Sequence, residues 1–184
     1  MPAARKTGLL VAALLLIGGV AIAGSVALQR GSGVPGDLAD IALAAPVPLA
    51  GVTLADAKGP VAFPAGPRGK WTLLALGYTH CPDVCPFMLG NLAEVETRMK
   101  ERLDPAQQPQ FVFISVDPNR DTPALLGEYV GFFSDDFRGM TGPKSEIDRV
   151  TEQLGAFYRL GVKDSDGDYG VDHSAEIYLI DPKG

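Results

Sequence analysis

Apolar and polar positions divide this 184-residue chain into one long uncharged stretch followed by a series of short periodic segments. Gly8 to Leu28 carries no charge and is long enough to cross a bilayer as a helix. Gly31 to Ala50, rich in Gly, Ala and Pro, reads as a flexible tether. Beyond it the periods are those of a folded domain. Val52 to Phe63, broken at Asp56-Ala57-Lys58-Gly59, predicts a hairpin, and Trp71 to Tyr78 a short buried strand. Met88, Leu92, Val95, Met99 and Leu103 then recur at spacings of three and four, which predicts a helix after Pro86 with one buried face. Phe111 to Val116 suits a fully buried strand. Pro123, preceded by Asp121 and Thr122, opens a second helix with Leu126, Tyr129, Val130 and Phe133 inward. A third helix starts near Ser145, with Ile147, Val150 and Leu154 inward, and a last strand runs from Ile177 to Ile180. This order predicts an α/β sandwich around a central mixed sheet. Asp181-Pro182-Lys183-Gly184 is a turn signature that should lead into another element, so the domain is read as truncated at its C-terminus.

Charge orients the chain. Arg5 and Lys6 precede the apolar run, which by the positive-inside rule leaves the N-terminus in the cytoplasm and the domain outside. The run continues past Ala21-Ile22-Ala23, the small-residue pattern of a signal-peptidase site, and this favours an uncleaved transmembrane helix over a cleaved signal peptide. The expected organisation is an anchor over 1–30, a flexible linker over 31–50 and one domain over 51–184. The expected location is a bacterial inner membrane, single-pass, with the domain facing the periplasm. From residue 29 onward, 14 Lys and Arg stand against 22 Asp and Glu, a formal charge of −8, which disfavours nucleic acid as a partner.

The chemistry concentrates in Gly77-Tyr78-Thr79-His80-Cys81-Pro82-Asp83-Val84-Cys85-Pro86, which holds both cysteines and sits on a strand-to-helix turn. A thiol there is stabilised as thiolate by backbone N–H groups and the helix dipole, and the thiolate both attacks disulfides and binds metals. A structural disulfide across so short a loop would add little stability, so a reactive or metal-binding pair is the stronger reading. Soft thiolates with an imidazole suit copper, and His80 and His173 are the two histidines. His80 adjoins Cys81 on the same turn, where its ring should diverge, which favours His173. Asp83 reads either as a helix-start charge or as an exposed charge that tunes the site or docks a partner. Asp164-Ser165-Asp166-Gly167-Asp168 has its glycine too early for a calcium loop and lacks the closing Glu, so an exposed hairpin tip is expected. Met88 and Met99 fall on the buried stripe and need no role as thioether ligands.

Three motifs in order carry a resemblance to a known family: the Gly77 to Pro86 turn, then Ser115-Val116-Asp117-Pro118-Asn119-Arg120-Asp121-Thr122-Pro123, then Asp172-His173-Ser174 with Tyr178 to Gly184. The chain over roughly Gly51 to Gly184 resembles the Sco/SenC copper chaperones. The resemblance implies a thioredoxin-like fold behind a single N-terminal membrane anchor. It implies copper, as Cu(I), Cu(II) or both, bound by Cys81, Cys85 and His173, with Cys81 and Cys85 also a redox-active disulfide pair, and Asp83 and Asp172 as outer-shell or docking residues. The implied partners are an upstream copper donor and the copper-accepting subunit of cytochrome c oxidase, whose binuclear centre such a chain supplies or keeps reduced. The family's closing strand and helix are absent here. On this reading the chain is a carrier rather than an enzyme. The rival is an extracytoplasmic thiol–disulfide oxidoreductase, against which the three residues between the cysteines, instead of two, argue mildly.

Overall fold

A computed structural model describes residues 43, 45–66 and 69–184. The anchor expected over 1–30, and residues 31–42 of the expected linker, lie outside the described residues. All elements named below belong to the unit from Pro48 to Gly184. In chain order they are β1 (Val52–Asp56), β2 (Gly59–Phe63), β3 (Thr72–Gly77), α1 (Val84–Lys100), β4 (Gln110–Ser115), α2 (Pro123–Gly131), β5 (Phe137–Met140), α3 (Lys144–Gln153), β6 (Tyr158–Leu160), β7 (Val171–His173) and β8 (Ile177–Ile180). Among the described residues no helix is long and apolar enough to cross a membrane.

The central sheet has the order β5-β4-β3-β8, with β3, β4 and β5 parallel and β8 antiparallel to β3, the mixed sheet that the element order predicts. β3 and β4 are apolar at nearly every position because both faces of the sheet are covered. Leu74 and Leu76 pair with Val112 and Ile114 and pack on one face with Leu54, Phe63, Ile147 and Val150 from the β1–β2 hairpin and α3. Ala75, Phe111 and Phe113 face the other side and meet Leu89 and Leu92 of α1 with Leu126 and Val130 of α2. The crossovers β3-α1-β4 and β4-α2-β5 thus lie on the same face, as right-handed connections between parallel neighbours require. The hairpin is tied to the end of β5 by two backbone bonds between Ala55 and Thr141.

The buried row of α1 differs from the expected one. Its buried positions are Cys85, Leu89, Leu92 and Glu96, with Met88, Val95 and Met99 partly buried beside them. Leu103 lies beyond the helix. The helix begins at Val84, ahead of Pro86, because a proline in the first turn gives up only an N–H that has no intrahelical partner. Counting from after Pro86 therefore hides the fact that Cys85 opens the core-facing row. α2 starts as expected, with Thr122 as cap accepting from Leu125 N at 3.2 Å. β5, β6 and β7, of four, three and three residues, are too short to show a period.

Gly77, the last residue of β3, stands where a Cβ would lie 2.5 Å from the Phe113 ring and 2.8 Å from the Cys85 sulfur. Gly77→Ala should therefore cost about 1–3 kcal/mol as overpacking. A denaturant midpoint unchanged from wild type would contradict this.

Candidate metal and thiol centre

The centre forms at the C-terminal ends of the parallel strands, where connecting loops converge. The chain leaves β3 at Gly77, turns with Cys81 N donating to the Tyr78 carbonyl at 3.4 Å, and enters α1 at Val84. Both cysteines are free thiols among the described residues. Cys85, on the inward row of α1, is 0% exposed, whereas Cys81 before the helix is only partly covered. The Cys85 N–H donates to the Cys81 sulfur at 3.4 Å. Burial alone would push the Cys81 thiol up, but the N–H groups of Cys85, Asp83 and Val84 and the facing Cys85 thiol outweigh it, so the Cys81 pKa lies below its ordinary value. Burial pushes the Cys85 thiol up to about 12, with the Cys81 sulfur and the Asp121 carboxylate adding to the effect. One turn thus carries two thiols of opposite acidity.

His173 arrives from the β6–β7 hairpin, where it ends β7 opposite Tyr158. Its Nδ1 lies 2.8 Å from the Ser174 carbonyl. A carbonyl only accepts, so Nδ1 carries a proton, and in the neutral ring Nε2 then keeps the lone pair. Nε2 is 3.8 Å from the Cys85 sulfur. A sulfur and an imidazole nitrogen bound to one ion at about 2.3 and 2.0 Å, at a trigonal angle, lie about 3.7 Å apart. Cys85 and His173 therefore already stand at the separation of two ligands on one ion. The Tyr78 ring presents an edge contact to the imidazole, with centroids 6.0 Å apart. Among the described residues no three His, Cys, Asp or Glu side chains yet enclose a common point, so an ion bound by Cys85 and His173 would have to draw in Cys81.

The other candidates separate from this pair. His80 Nδ1 faces Thr79 Oγ1 at 3.1 Å and the Asp121 carboxylate at 3.9 Å, which accounts for its ring by contacts other than the sulfurs. Asp83 occupies the N-cap of α1 without a side-chain cap and is exposed; its contribution to the site is its backbone N–H. Asp172 alternates away from His173 along β7 and pairs with Arg159 at 2.6 Å on the surface. Asp164 Oδ1 accepts from the N–H groups of Asp166 and Asp168, both at 2.9 Å, so it shapes the hairpin tip expected there. Met88 and Met99 pack on the helical side of the sheet.

Periodicity gives no notice of a buried polar group beneath the turn. Ser115, Asp117 and Asp121 are all buried. Asp121 accepts from Thr79 N at 2.9 Å, Thr79 Oγ1 at 2.5 Å and Ser115 Oγ at 2.5 Å. The available signal is the polar composition of Ser115 to Asp121 directly after a fully apolar strand.

The opposite thiol shifts have opposite signs in stability. Cys85 has a folded pKa above its ordinary value of 9.0, so its contribution is complete below pH 9 and is lost as pH rises through the window from 9 toward 12. Cys81 has a folded pKa below 9.0, so its contribution is present above pH 9 and is lost as pH falls through its folded value. Reduced, metal-free protein should lose stability in the alkaline window, and Cys85→Ala should flatten that loss. Iodoacetamide near neutral pH should label Cys81 well before Cys85, and mapping of the modified peptides showing equal rates would contradict the assignment.

Comparison with known proteins places the chain. The SCO1/SenC family model matches residues 51–184. The bovine protein SCO2 homolog, mitochondrial, is 43% identical over 133 residues, covering 72% of this chain and 49% of its own. The chain spans about half the length of the curated relatives it matches. The structure of Bradyrhizobium japonicum ScoI with copper bound superposes with a TM-score of 0.66 at 40% identity, covering 73% of this chain and 83% of that one. BsSco, described as a Sco-family cytochrome c oxidase assembly protein with a disulfide switch, gives a TM-score of 0.57 at 25% identity over 74% of this chain and 78% of its own. These likenesses make the α/β fold thioredoxin-like, and with the family match over the whole domain, this chain belongs to the SCO1/SenC family.

Proposed function

We propose that this chain is a membrane-anchored copper carrier that holds the ion between Cys81, Cys85 and His173 and serves the assembly of cytochrome c oxidase. The observation that carries the reading is the 3.8 Å approach of His173 Nε2, its lone pair turned toward the Cys85 thiol, to that sulfur. Two thiolates suit Cu(I), and an imidazole added to them suits Cu(II) as well. The copper-bound Bradyrhizobium relative supports the choice of metal, and the description of BsSco supports the oxidase as the destination. In this reading Cys81, the more exposed and more acidic thiol, takes the ion first. Cys85 follows as its proton is displaced, and His173 closes the set. Release reverses the order, His173 leaving first and an acceptor thiolate or imidazole replacing Cys81 last. The partners are an upstream copper donor and the copper-accepting subunit of the oxidase. The apolar run Gly8 to Leu28 tethers the domain to a bacterial inner membrane on its periplasmic side, so that donor, carrier and acceptor share one surface.

A second reading rests on the thiol asymmetry. A reactive outer thiolate with a protonated inner partner is the arrangement of a dithiol reductant. Cys81 would attack a partner's disulfide and Cys85 would resolve the mixed disulfide, so that the partner gains two thiols and this chain a Cys81–Cys85 disulfide. The disulfide switch described for BsSco favours keeping this as a companion activity.

Copper titration separates the two. His173→Ala should weaken Cu(II) binding by more than the roughly 10- to 100-fold that loss of a residue orienting a ligand costs and disturb Cu(I) less, while Cys81→Ser/Cys85→Ser should abolish both. Full Cu(II) affinity and full oxidase assembly in His173→Ala, with failure of the double cysteine variant, would replace the carrier by the reductase. For the location, protease added to intact spheroplasts should remove the domain; a full-length chain protected there would overturn the topology, and a soluble periplasmic form beginning near Gly24 would overturn the anchor.

A further inference from the structure

The second sequence motif, Ser115 to Pro123, supplies no ligand in the carrier reading, yet its loop between β4 and α2 touches both halves of the centre. On the cysteine side Asp121 holds the backbone and hydroxyl of Thr79, two residues before Cys81. On the histidine side the adjacent Arg120 reaches the β6–β7 hairpin. Its Nε donates to Asp117 at 2.5 Å and its Nη1 to Asp168. Its guanidinium lies over the Tyr169 ring at 3.7 Å and over the Tyr78 ring at 5.6 Å. Tyr169 in turn donates its hydroxyl to Asp117 at 2.8 Å, and Tyr78 meets the His173 ring edge-on.

These contacts close a circuit. Asp117 is 0% exposed, so its carboxylate requires the donors that Arg120 and Tyr169 provide. Asp168 and Tyr169 lie five and four residues before His173, in the hairpin loop that leads into the strand presenting it. Among the described residues Arg120 Nη2 is buried without an acceptor, so the guanidinium is held by its two carboxylates and its ring faces rather than by a full set of hydrogen bonds. A planar fork that stacks between rings while donating to two carboxylates is a task for Arg and not for Lys.

We propose that Arg120, with Asp117 and Tyr169, is a positioning brace that fixes the His173 hairpin at ligand distance from the cysteine turn. The proposal rests on the copper reading for the purpose of the distance, but the brace itself is a property of the metal-free chain. Residues 120 and 121 are neighbours, so the two halves of the centre are referred to one rigid point. Loosening the brace lets the imidazole withdraw while both sulfurs stay in place.

Two measurements on the full-length chain in detergent test this. In the first, amide hydrogen exchange is followed on reduced, metal-free protein. Arg120→Gln should speed exchange from 158 to 173 with α1 and α3 unchanged, Tyr169→Phe should give a smaller effect in the same segment, and Arg120→Lys should restore part of the protection. Unchanged exchange in both Arg120→Gln and Tyr169→Phe overturns the brace. In the second, Cu(II) and Cu(I) are titrated in parallel with His173→Ala. Arg120→Gln should weaken Cu(II) by about tenfold and leave Cu(I) near wild type, reproducing the His173→Ala pattern in smaller measure. Equal loss of both oxidation states, or no loss of Cu(II) while His173→Ala loses it, overturns the positioning role. If His173→Ala itself keeps full Cu(II) affinity, the ligand assignment fails, and the exchange result alone then decides whether the brace stands.

Discussion

The Cys85 sulfur is packed into the protein core beneath the end of β3, and the rest of the centre takes its position from that fact. Gly77 has no side chain because the Phe113 ring and this sulfur occupy the space a Cβ would need. Burial keeps the thiol protonated, and the same position brings it to His173. The Cys81 sulfur is tied to it by accepting from the Cys85 N–H at the start of the helix. A buried sulfur cannot drift toward a ligand, so the imidazole and the outer thiol are the parts that must be brought to it.

The surroundings divide by physical type. The two faces of the sheet are closed by apolar side chains and would hold a fold together without any centre. Beneath the cysteine turn the material changes to Ser115, Asp117 and Asp121, all buried and all hydrogen-bonded. Such groups stabilise little in net terms, and removing one partner leaves the other unsatisfied at a cost of about 1–3 kcal/mol. Their value is geometric: a polar set whose carboxylates all find donors permits one arrangement, where an apolar filling permits several.

Much of this is legible in the amino-acid order, and the remainder is hidden for identifiable reasons. The runs at Leu73 to Leu76 and Phe111 to Ile114 announce central strands because both faces of each are buried, and Thr122-Pro123 announces its helix because capping is local chemistry. The nearness of Cys85 and His173, 88 residues apart, has no local signature; soft-ligand chemistry suggests the pairing, and the β6–β7 hairpin brings it about. The short strand that bears His173 shows no period, since its pairing with Tyr158 comes from the hairpin and not from its own composition. The inward direction of Cys85 is obscured because proline is expected to mark a helix boundary, and here it lies inside the first turn.

The hydrogen bond that sets the His173 tautomer ends on the main-chain carbonyl of Ser174 rather than on a side chain. A carboxylate or amide in that role could be lost by a single substitution, and the ring would then be free to exchange which nitrogen it presents. A main-chain carbonyl belongs to every residue type, so no replacement at position 174 removes it as a group. The orientation of the imidazole is in this sense inherited with the hairpin backbone, and sequence drift can reach it only by altering the path of the strand.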